Sequence, residues 1–154
     1  MANATAAKAG AVGTVVSITG PVVDIEFAAR ELPAIYNAVR IDRADGSLVV
    51  EVQQHLGNNR VRTVAMTTTD GLARGAKATD LGAPISVPVG AGTLGRVFNV
   101  LGEPIDQAGD VKVEHYLPIH RSAPPYEDLT TETELFETGI KVIDLVCPFK
   151  KGGK

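Results

Sequence analysis

Between Gly13 and Asp80 the chain is divided into short alternating runs by repeated turn signals. Val15, Val16 and Ile18 lead into Gly20-Pro21. Val23, Ile25 and Phe27 then alternate with Asp24 and Glu26, the period of a half-buried strand. Asp45-Gly46 has hairpin composition and separates residues 37–41 from residues 47–55. Gly57-Asn58-Asn59 precedes a further alternation, Arg60-Val61-Arg62-Thr63-Val64. Asp70-Gly71 and Gly75 come before a last short stretch at residues 76–80. Helical periodicity is almost absent over this span. The pattern predicts a small all-β barrel or sandwich over residues 11–82.

The character changes after Gly82. Pro84 and Pro88 flank a short apolar piece, residues 85–87. Residues 93–101 read as a strand that ends in the turn Gly102-Glu103-Pro104. Residues 107–128 contain Pro118, Pro124 and Pro125 with little periodicity, so an extended surface connection is expected. Phe136, Ile140 and Ile143, with Val146 or Cys147 next, fall on one helical face. Thr138 is placed to cap a turn beginning at Gly139, because its hydroxyl can accept from an orphan backbone N–H. Pro148 stops the helix. Residues 1–10 are Ala-rich and lack the apolar stretch of a secretory signal, so a flexible N-terminus is expected.

Composition limits the function classes. In 154 residues, 44% are hydrophobic and 21% charged, enough apolar material to bury a core. The net charge of −3 and the absence of any Lys/Arg run longer than Lys150-Lys151 argue against a nucleic-acid binder. No stretch approaches the roughly 18 apolar residues of a membrane span. The single cysteine, Cys147, allows no internal disulfide and no cysteine-based metal site, and a small buried thiol is expected. His55, His115 and His120 do not sit at ligand spacing with carboxylates, so no metal site is expected.

Four features suggest chemistry. Gly90-Ala91-Gly92-Thr93-Leu94-Gly95 fits G-x-G-x-x-G, but a dinucleotide loop must open a helix, and Arg96-Val97-Phe98-Asn99-Val100 has strand composition. Gly152-Gly153-Lys154 resembles the end of a phosphate loop, yet no window satisfies G-x-x-x-x-G-K-[ST]. Thr130-Thr131-Glu132-Thr133-Glu134, with Glu137, is carboxylate-rich; Thr131 and Glu134 fit a capping box on a solvated turn better than an acid–base pair. Arg60 and Arg62 lie two apart on one strand face, either solvated or at a contact between subunits. The residues alone assign no catalytic, cofactor-binding or metal position.

A resemblance extends this reading. Thr138-Gly139-Ile140-Lys141-Val142-Ile143-Asp144-Leu145, then Pro148 and Lys151-Gly152-Gly153-Lys154, is similar to the segment before the phosphate loop in rotary ATPase catalytic subunits. Gly13-Thr14-Val15-Val16 and Gly20-Pro21-Val22-Val23-Asp24 resemble the opening of that family's N-terminal barrel. Leu32-Pro33-Ala34-Ile35-Tyr36-Asn37-Ala38 resembles the beta-type barrel, as do Val61-Arg62-Thr63-Val64-Ala65-Met66 and Asp70-Gly71-Leu72-Ala73-Arg74-Gly75. The string from Gly95 to Asp106, with His120-Arg121 and Ala123-Pro124-Pro125, resembles the start of the nucleotide-binding domain. The chain thus resembles the N-terminal part of the catalytic beta subunit of an F-type rotary ATP synthase.

The resemblance implies a mainly β chain: a six-stranded N-terminal β-barrel at residues 11–82, then the incomplete start of a RecA-like α/β nucleotide-binding domain at residues 83–154. It implies alternating alpha subunits in a hexameric ring and a central-stalk gamma subunit as partners. ATP or ADP with Mg2+ would be bound by the intact subunit, which makes ATP from ADP and phosphate using a transmembrane proton gradient. None is expected on this chain, because the family's phosphate loop, catalytic glutamate, magnesium-site residues and adenine-contacting aromatics fall beyond the matching strings. The implied location is peripheral, on the cytoplasmic, matrix or stromal side of an energy-transducing membrane such as a bacterial inner membrane. The other reading of the chain is a non-catalytic barrel module that serves subunit assembly.

Overall fold

The computed structural model describes residues 10–43, 46–129 and 132–153. Six antiparallel strands form a closed barrel: β1 (Val12–Thr19), β2 (Val22–Phe27), β3 (Asn37–Arg43), β4 (Gly46–Gly57), β5 (Arg60–Ala65) and β6 (Lys77–Pro84). Their order around the barrel is β1-β2-β5-β4-β3-β6, and β6 returns to β1. Closure gives every strand two neighbours, so no edge is left to template pairing with another chain.

The turns follow from local chemistry. Thr19 pairs with Val22 across Gly20-Pro21, and Gly20 has φ of 57°. A left-handed first residue followed by proline is the order of signs a type II′ hairpin turn requires. Gly57 pairs with Arg60 across Asn58 and Asn59, whose φ values are 49° and 59°. Two left-handed central residues match the strand twist, and Asn tolerates that conformation better than other non-glycine residues. Arg43 pairs with Gly46 between β3 and β4, while Asp45 of the expected hairpin dipeptide lies outside the described residues.

The alternation read from sequence becomes an inside and an outside. Ile25, Ile41, Leu48, Val50, Val52 and Val61 point inward and are fully buried. At about 25 cal/mol per Å² of apolar surface removed from water, such positions supply most of the favourable energy of a small barrel. Two polar side chains in this region have their needs met. Thr63 Oγ1 donates to the Val23 carbonyl at 2.7 Å. Asp80, 1% exposed, accepts from Asn37 Nδ2 at 3.1 Å and from the Gly82 amide at 3.0 Å.

The chain divides into two compact units, residues 1–121 and residues 122–154. The first contains the barrel and a two-stranded ribbon of β7 (Ser86–Val89) and β8 (His115–Pro118). The second contains β9 (Leu135–Phe136), α1 (Lys141–Val146) and β10 (Phe149–Lys150), with β9 and β10 paired.

Several expectations after Gly82 require correction. The proline-rich residues 107–128 include a strand, β8, because Pro118 sits at its end and costs no interior ladder bond. Residues 93–101 form no strand; only Phe98 bridges to Pro104. Side-chain hydrogen bonds replace the ladder there. The helix is shorter than its apolar spacing suggested, for Phe136 belongs to β9 and the helix begins after Ile140. Cys147 is exposed rather than buried, since it follows a helix none of whose residues is buried.

Candidate functional site

The arginines singled out on β5 do lie side by side, facing carboxylates on β2. Register puts Asp24 opposite Arg62 and Glu26 opposite Arg60. Arg62 donates to Asp24 from Nε at 2.9 Å and from Nη2 at 3.0 Å, and Arg60 Nε donates to Glu26 at 2.8 Å. The hydrogen bonds donated to Asp24, and then the charge of Asp24, raise the Arg62 pKa against a smaller desolvation effect. Exposed pairs of this kind contribute little stability. They do give this part of the wall a fixed pattern of alternating charge.

The glycine-rich loop has a structural explanation. Gly90 has φ of 125°, and a Cβ there would come within 2.6 Å of the Glu114 side chain. A Cβ on Gly92 would collide with the Lys112 carbonyl oxygen. Both glycines therefore serve close backbone approach. A single 3-10 turn, Ala91–Thr93, occupies the place where a dinucleotide motif needs a helix, and Leu94 is already extended. The Ala91 amide, a donor that a phosphate would need, is taken by Glu114 Oε1 at 3.1 Å.

Next to this loop, Arg96 ties residues 96–110 together. Its guanidinium grips Asp106 through two bonds of 2.6 and 2.9 Å and donates to the Gly109 carbonyl at 2.6 Å. Asp106 also accepts the Val97 and Ala108 amides. The Arg96 bond, followed by the Ala108 amide, holds the Asp106 carboxyl well below the usual carboxylate range. Such a fork-to-fork pair fixes geometry as well as charge. Here it replaces the ladder expected for residues 93–101.

Near the end of the chain, Asp144 on α1 reaches back to the residues before the helix. It accepts from the Thr138 hydroxyl at 2.6 Å, the Thr138 amide at 3.0 Å and the Gly139 amide at 3.0 Å. These bonds, the hydroxyl first, lower the Asp144 pKa against desolvation. Thr138 Oγ1 also accepts the Ile140 amide at 3.2 Å, so it organises the preceding turn. The helix N-cap itself is Ile140, which makes no side-chain cap bond.

Glu134 pairs with Lys151 Nζ at 2.8 Å, whereas Thr131, its partner in the expected capping box, lies outside the described residues. Gly152 and Gly153 border an open cavity of about 660 Å³ lined by Phe136, Pro148, Phe149 and Lys150. Lys154 lies outside the described residues.

Sequence reasoning missed one cluster, on the outer wall of β4. His120 Nε2 lies 2.9 Å from Glu51 Oε2, and Gln53 Nε2 donates to Glu51 Oε1 at 2.5 Å. The Tyr36 ring stacks on the His120 ring at a centroid distance of 4.1 Å. The only signal in the sequence was a Glu at an outward position that the strand pattern marks as solvated.

What the chain offers is thus a closed barrel of stated strand order, charged pairs on its wall and well-tied loops. Residues 15–82 match the family model described as ATP synthase alpha/beta family, beta-barrel domain. That match supports a member of the ATP synthase alpha/beta family. The matched span runs from within β1 to within β6, so the family's barrel domain and the closed barrel coincide.

Proposed function

We propose that the chain is the N-terminal part of a catalytic beta subunit of an F-type rotary ATP synthase, and that its barrel serves assembly with alternating alpha subunits. The observation that carries this reading is the barrel match over residues 15–82, joined to the beta-type strings Leu32-Pro33-Ala34-Ile35-Tyr36-Asn37-Ala38 and Asp70-Gly71-Leu72-Ala73-Arg74-Gly75. The physics of the barrel suits the role. It closes its own hydrogen bonds, so neighbours must be recognised through side chains on the wall rather than by strand addition.

In this reading the intact subunit binds ATP or ADP with Mg2+ and makes ATP as the gamma subunit turns, at the face of an energy-transducing membrane. These 154 residues contribute the assembly barrel and hold no window with phosphate-loop spacing. Backbone amides and a lysine at that spacing are what retain the phosphates. Calorimetric titration of the chain with MgATP should therefore show no micromolar binding, and such binding would overturn the assignment of roles. Subunit type is tested by competition. The chain should displace beta subunit, and not alpha subunit, from reconstituted alpha–beta assemblies; displacement of alpha alone reverses the assignment. The second reading, a module that only assembles, predicts the same competition with no nucleotide-dependent change after extension of the chain.

A further inference from the structure

A neighbour meets this barrel through side chains on its outer wall, because closure leaves no free strand edge. The wall is not uniform. On β2 and β5 it carries Asp24, Glu26, Arg60 and Arg62, already paired with one another. Charges satisfied within the wall keep their water and gain little from a neighbour. Large apolar side chains are the costly ones to leave wet. Among the described residues of the barrel these are Val12, Ile35, Tyr36, Leu56 and Leu81, between 39% and 48% exposed.

All five lie at one end. Val12 opens β1, Leu56 and Leu81 come near the ends of β4 and β6, and Ile35 and Tyr36 immediately precede β3. β1, β6, β3 and β4 pair antiparallel in that order, so these termini share one end of the barrel.

They form two groups. Val12 pairs with Thr79 across β1 and β6, and Leu81 lies two residues further along β6. Ala11, Ala78 and Asp80 are buried, so Val12 and Leu81 share the outer face. The second group is at the end of β4. His55 Nε2 lies 2.7 Å from the Pro33 carbonyl oxygen, and the Tyr36 amide donates to the Val52 carbonyl at 2.7 Å. These bonds lay residues 33–36 along the part of β4 that ends in Leu56. In the order β1-β2-β5-β4-β3-β6, β4 is as far from β1 as the barrel allows, so the two groups occupy opposed walls.

A two-fold dimer uses one self-complementary patch, whereas a head-to-tail contact uses two different patches and can close into a ring. Two apolar patches on opposed walls at one level fit the second case. We infer, on the reading that the barrel serves assembly, that Val12 with Leu81 and Ile35 with Leu56 are its two docking surfaces, each taking the barrel of one neighbouring subunit. The charged β2/β5 wall stays in water.

Stoichiometry reads this directly. The full chain should be mixed with excess isolated alpha subunit and the complexes sized by sedimentation velocity. The wild type should take up two alpha subunits. Val12→Asp and Ile35→Asp should each take up one, because a carboxylate buried in an apolar contact has no partner. The double variant should take up none, and Arg62→Gln should still take up two. A single variant that takes up two, or none, overturns the opposed docking surfaces, as does a wild type that takes up one or loss of an alpha subunit by Arg62→Gln. A wild type that takes up none overturns the assembly reading itself, and the surfaces with it. Exchange protection of β2 and β5 amides shows that each variant is folded. Where aspartate disturbs it, Val12→Ser and Ile35→Ser decide instead: affinity at one of the two sites should fall about tenfold, and a fall below about twofold overturns the surface concerned.

Discussion

The barrel and residues 122–153 solve the same problem with opposite results. In the barrel, six strands satisfy one another's backbone groups and place twelve apolar residues in a shared core. In residues 122–153 no described residue is buried, although Phe136, Ile140, Val142, Leu145, Val146 and Phe149 are all large and apolar. A six-residue helix and a pair of two-residue strands have too little surface to cover one another. The lesson is that apolar content does not make a core. A core needs enough elements to enclose it, and closure supplies them at small size.

The largest test of that contrast is truncation of side chains. Ile25→Ala should cost about 2–5 kcal/mol in urea unfolding, because it leaves a cavity in a packed interior. Leu145→Ala, at a residue 78% exposed, should stay within about 0.5 kcal/mol. Equal costs would break the comparison. Hydrogen exchange gives the next largest effect. Amides of β2 and β5 should exchange at least about 100-fold more slowly than those of α1, since core strands open only with the whole barrel.

A smaller effect sharpens the account of the barrel's polar interior. Asn37→Ala removes a donor from buried Asp80 and should cost about 1–3 kcal/mol by the same urea measurement. A cost near zero would show that Gly82 alone satisfies that carboxylate.

The smallest effect is acid-induced and local, once in the segment after the barrel and once in residues 122–153. Asp106 and Asp144 have pKa values below the ordinary aspartate value, through Arg96 and Thr138 respectively. A depressed carboxylate contributes fully above the ordinary value near 4 and loses its contribution as pH falls through the folded value. The Val97 and Gly139 amide signals, followed in an acid titration, should therefore move with midpoints below about 4. Asp106→Asn should remove the Val97 transition and leave that of Gly139.

Legibility in the sequence tracked the range of the interactions. Gly20-Pro21 and Asn58-Asn59 were readable because a tight turn depends on the backbone freedom of its own residues. The inward faces were readable because a strand alternates whatever its partner. β8 was obscured by prolines because its strand character comes from pairing with β7, some distance earlier in the chain. The glycine loop forms a single 3-10 turn, Ala91–Thr93, where a dinucleotide motif needs a helix. Residues 93–101 were misread as a strand, because the Arg96–Asp106 bond that organises them spans ten positions. Glu51 was invisible as a site because its cover, His120, lies 69 residues away.

The sequence by itself determined that residues 11–82 are short strands with one apolar face and fixed turns, because period and turn chemistry act within a few residues. The tertiary structure decided that those strands close in the order β1-β2-β5-β4-β3-β6 rather than stack as a sandwich. It also decided that Glu51 lies under a histidine instead of in water, and that the apolar side chains of residues 122–153 remain uncovered. Pairing and burial depend on which surfaces meet across long loops, and local preference does not encode those meetings.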